Sequence, residues 1–437
     1  MEFLNSKKPK PTTSYTVLFA VTIIVGIGAG LGAMFLALLL HYIQHIAYGY
    51  SPDMIISNET FLEGVHASSS ERRVIVLTMC GLVAGLGWWA VARYGKPLVS
   101  IAEAVKSTQP QMPMGSTTAH IFLQIITIAL GSPLGREVAP REISALFAGW
   151  LSSKAGLTLK DTQVMLACGA GAGLAAVYNV PLGGALFTVE VLLCTLSWSA
   201  LIPALATSGI AVIISWVGLG NTPQYDVLDY TISYSLVVWS IFAGPIFGLA
   251  AYWFIRVMTR ARRTSPNHWH IIVRCLVNFF MIGCLAIYFP SLLGNGKSPA
   301  QLEFDDAASL GMTAILLILR TFIIWSSLRA GAKGGLLTPS LANGALLAVL
   351  LGGLWNIIWP SAQLGAYAVI GATAFLAAAQ KMPITAIALI FEFTRLNFNF
   401  LIPILFAVTG SISVFSLCTK RFSGATTSRK KLLIHPV

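Results

Sequence analysis

The sequence contains apolar runs that are long enough to cross a lipid bilayer, and this feature limits its fold more than any other. The clearest runs cover residues 17–40, 74–92, 237–255 and 401–417. A spanning helix needs about 20 predominantly apolar residues. Only 10% of the 437 residues are charged, against about 25% in an ordinary soluble domain. This charge deficit excludes a water-facing surface around most of the chain, so we predict an all-α polytopic membrane protein.

Basic residues give the chain a formal net charge of +12, and they are grouped at the ends of apolar runs. Lys7, Lys8 and Lys10 precede the first run, four arginines lie within residues 256–263, and a third group occupies residues 420–431. Because basic residues in short loops mark the cytoplasmic side of a membrane, we place both termini in the cytoplasm. Their position at span ends argues against a nucleic-acid partner, which would meet a continuous basic surface.

The second half of the chain repeats features of the first. Residues 169–191 align with residues 371–393 at a constant spacing, and residues 135–140 correspond to residues 334–339. The matched positions include a proline and a glutamate, which are harder to match by chance than small apolar residues. These two matches are Pro181 with Pro383 and Glu190 with Glu392. We therefore predict two homologous halves.

The two halves are predicted to run in opposite directions through the membrane. The first span begins beside the cytoplasmic lysines, whereas the first long span of the second half ends at the arginines of residues 256–263. Inverted repeats of this kind place a binding site near the bilayer midplane, between the halves. The predicted segments are a cytoplasmic N-terminal segment (1–14), a first half (15–217), a linker (218–231), a second, inverted half (232–419) and a cytoplasmic tail (420–437).

Glycine and proline interrupt several apolar segments, for example at residues 131–140 and 334–339. Irregular backbone at membrane depth is tolerated only where it is buried in protein or lines a water-filled cavity. The start of a helix presents free N–H groups and a partial positive charge, and such ends bind anions. Several ends aimed at one point could hold a small anion weakly enough for release. These segments favour an anion pathway over a cation pathway.

Glu137 is an ionisable residue within this apolar region, between Gly135 and Pro140. Ionisable groups inside the membrane are functional candidates by default. The carboxylate could occupy an anion site when ionised and leave it when protonated, which would make Glu137 both a gate and a proton carrier. A salt bridge to Arg136 or Arg141 at the membrane interface stays open as the alternative.

Three short segments carry a resemblance to a known family: Gly135-Arg136-Glu137, the sequence GGLLTP at residues 334–339, and NVPL at residues 179–182. With them the chain resembles, over nearly its whole length, the CLC family of chloride channels and anion/proton exchangers. The resemblance implies about eighteen full and partial helices and a homodimer with one pore in each subunit. It implies transport in a bacterial inner membrane rather than catalysis, with no cofactor and no metal.

The same resemblance assigns roles to single residues. Glu137 corresponds to the external gating glutamate of the family, and backbone N–H groups of the second-half segment contribute to the anion site. The anion-binding residues that we predict are Lys96, Gly135, Arg136, Glu137, Gly335, Leu336, Leu337 and Phe398.

Several positions depart from the family pattern, among them Val138 and Ala139, which alter the last two positions of the family motif that contains Glu137. Lys96 stands where the family has the serine that contacts the central anion, and Phe398 stands where we align the inner tyrosine. Val191 replaces the internal proton-transfer glutamate of the exchangers, and valine is common there in channel members. Lys96 could be a countercharge for the anion, could pair with Glu137, or could extend to the cytoplasmic interface. Glu190 could accept the proton in place of the missing glutamate, or could cap a helix end.

The sequence therefore predicts transmembrane transport of chloride or a similar small anion, gated by Glu137, with proton counter-transport left open. An uncoupled anion channel and a fluoride-selective exchanger are the alternatives. A further alternative is a degenerate, non-conducting relative with Lys96 in its pore. Motifs of nucleotide hydrolysis, of serine hydrolases and of zinc peptidases do not occur in the sequence, which argues against an enzyme or a primary pump.

Overall fold

The structure is a computed structural model that describes residues 13–51, 59–265, 268–360 and 362–424. The lysine cluster of residues 7–10 and the basic residues 429–431 lie outside the described residues, so the predicted cytoplasmic position of both termini stays a prediction.

Helices make up the regular structure of these four ranges, apart from one isolated bridge. The α-helices in chain order are α1 (Tyr15–Tyr48), α2 (Phe61–Ala67), α3 (Ser70–Tyr94), α4 (Ile101–Lys106), α5 (Met114–Ala129), α6 (Val138–Lys154), α7 (Leu159–Tyr178), α8 (Pro181–Phe187), α9 (Trp198–Leu219), α10 (Tyr234–Arg263), α11 (His270–Tyr288), α12 (Lys297–Phe304), α13 (Leu310–Ala330), α14 (Leu337–Ile358), α15 (Leu364–Gln380), α16 (Pro383–Thr394) and α17 (Leu401–Gly424). Within the described residues, eight helices are long and apolar enough to cross a membrane, and several others are partial. The predicted all-α polytopic fold, with its full and partial helices, is confirmed.

The core of the molecule lies along α7 and α15, which are equivalent helices of the two halves. Every residue from 165 to 178 and from 365 to 379 is buried. These stretches consist largely of alanine and glycine, so neighbouring backbones can approach closely. α6 packs against α7 and α14 packs against α15. The two buried helices thus form the support on which the starts of α6 and α14 are positioned.

The helix breaks of the two halves have the same backbone shape. α7 is capped by Asn179 and α15 by Lys381, and both residues adopt the left-handed conformation, with φ of 57° and 56°. One residue follows each cap, with φ of −132° in the first half and −136° in the second. A proline then begins α8 or α16, where its missing N–H costs no helical hydrogen bond. The two breaks are therefore equivalent residue by residue.

Two carboxylates join the halves at these breaks. Glu392, in α16, accepts hydrogen bonds from the N–H groups of Leu182 and Gly183 at the start of α8, at 2.8 and 2.7 Å. Glu190, which follows α8, accepts from the N–H groups of Ile384 and Thr385 at the start of α16, at 3.0 and 2.7 Å. Each helix therefore begins beside the end of the other, so the pair is antiparallel, as an inverted repeat requires.

This reciprocal arrangement bears on the two roles left open for Glu190. The first N–H groups of a helix have no partner within the helix, and a carboxylate placed there also meets the positive end of the helix dipole. Both oxygens of Glu190 are used in this way, and Oε2 also accepts from the Thr385 hydroxyl at 2.6 Å. The contacts favour the helix cap over the proton acceptor.

The predicted limits of the halves fall inside helices. α9 continues to Leu219, past the predicted end of the first half at 217, and α17 continues to Gly424, past the predicted end of the second half at 419. The tail predicted from residue 420 is helical over its first residues.

We predict that Glu190→Ala and Glu392→Ala each destabilise the protein, because each change leaves two helix N–H groups without their partner. A lost cap of this kind costs about 1 kcal/mol. Thermal unfolding in detergent should show a lower midpoint for both variants and the lowest midpoint for the double variant. The control is Asp229→Ala, at an exposed residue of the linker. A midpoint equal to that of the control would contradict the capping role.

Candidate functional site

The starts of α6 and α14 meet at a pair of glycines. The Gly135 N–H donates to the Gly335 carbonyl, and the Gly335 N–H donates to the Gly135 carbonyl, both at 2.8 Å. The two segments run antiparallel at this bridge. α6 begins at Val138 and α14 at Leu337, so two helix N-termini from opposite halves converge on one point. Convergent N-termini favour a negatively charged group.

The Glu137 side chain occupies this point. It is only 1% exposed, and its Oε1 accepts a hydrogen bond from the Leu337 N–H at 2.8 Å. Its Oε2 is buried without a hydrogen-bond partner in the described part of the chain. A methyl group placed on Gly135 or on Gly335 would overlap this carboxylate. The two glycines therefore leave the space in which a carboxylate, or another small anion, can lie.

Arginines contact the backbone around this carboxylate rather than the carboxylate itself. Arg141 donates to the Glu137 carbonyl at 3.0 Å, and Arg262 donates to the Gly334 carbonyl at 2.8 Å. Within the described residues, no ion pair of 4 Å or less joins Glu137 to an arginine. The structure therefore does not contain the salt bridge to Arg136 or Arg141 that was the alternative for Glu137.

Two hydroxyl groups lie near Glu137 and the glycine bridge, and they were not predicted from the sequence. The Tyr178 hydroxyl, at the end of α7, and the Thr338 hydroxyl, in α14, are 3.1 Å apart and buried. The Arg136 guanidinium lies over the Tyr178 ring, 5.4 Å from its centre. Thr338 belongs to the GGLLTP segment and Tyr178 lies within the repeated stretch of residues 169–191, so their positions were available as signals. These hydroxyls can donate hydrogen bonds to an anion.

Two pockets lie near the segments that precede α6 and α14. A narrow pocket on one side is lined by Arg136, Lys297, Thr338 and Tyr178. A cavity of about 330 Å³ elsewhere is lined by two lysines, Lys96 and Lys333. Arg262 donates to the carbonyl of Gly334, the residue that follows Lys333. Basic side chains therefore line or adjoin both pockets.

Lys297, the lysine of the narrow pocket, begins α12 in the segment that joins α11 to α13, and its charge depends on pH. Partial desolvation, together with the nearby Arg136 charge, lowers the pKa of Lys297 to about 8. The ammonium is therefore present at neutral pH and is lost as the pH rises above about 8. An anion in this pocket would be held more weakly in alkaline solution.

Two predicted anion-site residues do not lie at the meeting of α6 and α14. Lys96 is exposed in the irregular segment between α3 and α4, at the 330 Å³ cavity. Phe398 is 72% exposed and packs on Phe391, with ring centres 5.4 Å apart. Gly135, Arg136, Glu137, Gly335, Leu336 and Leu337 are together at the meeting of α6 and α14.

The location of Phe398 bears on its alignment with an inner tyrosine. Phe398 immediately precedes α17, which packs in parallel with α10: Gly244 faces Ala407, and Gly248 faces Ser411. Phe398 is therefore at the end of the molecule where α10 begins, opposite to the arginines that end α10. The spacing to a downstream proline suggested an inner position, whereas the predicted cytoplasmic side of the α10 arginines would put Phe398 on the outer side.

The family model described as voltage gated chloride channel matches residues 71–416. That match covers most of the chain, so the protein belongs to the CLC family of chloride channels and transporters, whose members move ions rather than catalyse reactions.

Individual relatives agree with this assignment. The chain is 28% identical over 340 residues to the voltage-gated ClC-type chloride channel ClcB of Citrobacter koseri, covering 74% of this chain and 79% of that protein. It is 26% identical over 361 residues to ClcB of Salmonella typhimurium, covering 78% and 84%. Among solved structures, a slow cyanobacterial Cl⁻/H⁺ antiporter superimposes with a TM-score of 0.74 at 18% identity, over 95% of this chain and 100% of the other. A CLC-type fluoride/proton antiporter gives 0.66 at 18%, over 93% and 99%.

We predict that Gly335→Ala reduces anion flux by about tenfold or more, because the new methyl group fills the space shared by the carboxylate and an anion. The groups nearest to this methyl all belong to Glu137, so the helices themselves need not move. Flux should be measured in liposomes, with Gly311→Ala as the control, since nothing lies within 4 Å of the added methyl there. Flux that matches the control would show that the space over Gly335 is not on the pathway.

Proposed function

We propose that the protein transports chloride or a similar small anion across the membrane and that Glu137 gates the pathway. The observation that supports this most directly is the bond from the Leu337 N–H to the Glu137 carboxylate. A carboxylate is itself an anion, and it lies at converging helix N-termini where a free anion would be stabilised. When the carboxylate leaves, the same N–H group is available to the transported ion.

Protonation is the proposed trigger for this exchange of places. A neutral carboxyl group is attracted to a helix N-terminus less strongly than a carboxylate. Acid should therefore release Glu137 and admit the anion. A proton that binds from one side and leaves to the other would couple anion movement to proton counter-transport.

Two observations favour chloride as the substrate. The sequence relatives at 26% and 28% identity are named chloride channels. The hydroxyls of Tyr178 and Thr338 offer neutral donors beside the site, which suit binding that is favourable but readily reversed. Fluoride is the alternative anion, as in one of the structures with the same fold.

An uncoupled anion channel is the second candidate. Val191 stands at the position of the internal glutamate of the exchangers, and Glu190 beside it is engaged as a helix cap. A non-conducting protein plugged by Lys96 has less support, because that side chain is exposed at a wide cavity. A homodimer in a bacterial inner membrane, with both termini in the cytoplasm, completes the proposal by resemblance to the family.

Replacing Glu137 by a residue that cannot ionise should leave the anion pathway open and remove its dependence on pH. In liposomes we expect Glu137→Gln and Glu137→Ala to conduct chloride with little dependence on pH between about 4.5 and 7.5, because neither side chain can ionise. The wild-type protein should conduct faster in acid. Potassium and fluoride efflux measured in parallel tests ion selectivity.

The control for this experiment is Glu303→Gln, which neutralises another buried carboxylate, one that is bonded to Thr313. It should keep the wild-type pH response. If the Glu137 variants keep that response too, the gate lies elsewhere. Potassium efflux without chloride efflux would exclude the anion pathway altogether.

Lys96 should act through its charge at the cavity. We expect Lys96→Ser to lower chloride flux a few-fold at low ionic strength and to have little effect at about 1 M salt, where the Debye length is only about 3 Å. The control is Lys160→Ser, at another exposed lysine, in the first turn of α7. An effect that persists unchanged at high salt would place the Lys96 ammonium in direct contact with the anion.

A further inference from the structure

A buried polar cluster lies between the 330 Å³ cavity and the start of α6, and the anion site does not use it. Its members are Trp88, His120, Gln124 and Glu142, and each is at least nine-tenths buried. His120 and Glu142 are titratable groups on adjacent apolar helices, α5 and α6. Ionisable side chains in such a setting are expensive to bury, so their presence together requires a reason.

Hydrogen bonding determines how His120 faces Glu142. The Trp88 indole N–H donates to His120 Nδ1 at 3.1 Å, so this nitrogen is an acceptor and carries no proton. The proton of the neutral ring is therefore on Nε2. Nε2 is 3.9 Å from Glu142 Oε1, just beyond hydrogen-bond distance. Trp88 thus holds the imidazole with its N–H directed at the carboxyl group.

Gln124 can support Glu142 with or without a proton. Its Nε2 donates to Glu142 Oε2 at 3.1 Å, which suits an ionised carboxylate. Its own Oε1 is buried without a hydrogen-bond partner in the described part of the chain. A half-turn of the amide would bring that oxygen to a protonated Glu142 and let it accept the O–H. The amide therefore fits both states of the carboxyl group.

The cluster is connected to the cavity of Lys96 and Lys333. Trp88 and Gly95 both line that cavity, and the Ser116 hydroxyl lies against Gly95. Buried polar side chains then follow one face of α5 away from the cavity: Ser116, Thr117, His120 and Gln124. The Thr117 hydroxyl also has no hydrogen-bond partner among the described residues. This face offers a polar route to Glu142 through an otherwise apolar region.

The charged groups that face the pair are few. Lys333, across the cavity, acts on His120, and Arg141 acts on Glu142. Arg141 also acts on Glu137, whose carbonyl it contacts at 3.0 Å. The opposite charge of Arg141 favours the ionised form of both carboxyl groups. Arg141 therefore acts electrostatically on Glu142 and on Glu137 alike.

We infer that Glu142, oriented by His120 and Gln124, is a proton-binding site that receives protons from the Lys96–Lys333 cavity and passes them to Glu137. The inference rests on the proposed function, in which protonation of Glu137 opens the pathway. In the transfer the O–H bond of Glu142 breaks and one on Glu137 forms, so a carboxylate is restored at Glu142 as one is neutralised at Glu137. Glu142 would thus supply the proton acceptor that is missing at position 191, where this chain has a valine.

The first test does not depend on transport. Infrared difference spectra of the full-length protein in lipid, taken between about pH 4 and 9, report protonated carboxyl groups directly. We expect a carboxyl band that Glu142→Gln removes and that both Glu137→Gln and Glu303→Gln retain. His120→Gln should shift the pH at which this band appears. Spectra that are identical for wild type and Glu142→Gln would overturn the inference.

The second test measures proton uptake driven by a chloride gradient, together with chloride efflux, in liposomes. Glu142→Gln should lower the number of protons moved per chloride about tenfold or more while it leaves chloride efflux within a few-fold of wild type. Glu142→Asp should restore part of the proton movement, and Glu303→Gln should not alter it. A wild-type ratio in Glu142→Gln would overturn the inference. Wild-type chloride efflux without proton uptake would also overturn it but would leave the gated anion pathway standing, whereas the absence of chloride efflux would contradict the proposed function itself.

Discussion

The two hydrogen bonds between Gly135 and Gly335 are the contact on which the site depends. A bilayer offers no water to the free N–H groups at the start of a helix, so these groups need partners from the protein or from a ligand. The bridge pairs the backbone of one half with that of the other and leaves the Leu337 N–H facing the same space. Because neither bridge residue has a side chain, an anionic group can lie directly against the backbone. The site is therefore a property of the backbone more than of any charged side chain.

Close packing of small residues keeps this bridge in place. A methyl group on Gly173 would overlap the Pro140 carbonyl, so α7 approaches the start of α6 as nearly as two backbones can. Gly344 and Gly371 make the equivalent approach between α14 and α15. Helices in lipid gain little from the hydrophobic effect when they associate, and close van der Waals contact replaces it. The alanine and glycine content of α7 and α15 is thus the reason that two helix starts from opposite halves can meet at hydrogen-bond distance.

Much of this architecture was predictable from the sequence, and the exceptions have physical causes. The repeat was visible because a proline and a glutamate recur at one spacing, and both have a defined place at a helix break. The meeting of residues 135–140 and 334–339 followed from the inverted halves. The surroundings of Lys96 and Phe398 were harder to predict, because Lys96 lies in an irregular segment and Phe398 in a short 3₁₀ turn, where spacing to a landmark does not determine direction. His120 and Glu142 were missed because their pairing depends on how α5 packs against α6, which no local pattern records.

Within the described residues, three carboxylates accept N–H groups at the start of a helix of the opposite half, and the differences between them explain why only one is suited to be a gate. Glu190 and Glu392 each accept N–H groups with both oxygens, and each joins a helix of one half to a helix of the other. Glu137 accepts a single N–H with one oxygen, and its second oxygen has no partner among the described residues. Releasing Glu190 or Glu392 would leave two N–H groups unpaired and would loosen the contact between the halves. Releasing Glu137 leaves one N–H group, which a small anion can take over at once. The contact between a carboxylate and a helix N-terminus is therefore structural where both oxygens are bonded and reversible where only one is. An arriving anion completes the exchange, because it offers the helix N-terminus the negative charge that the departing carboxylate removes.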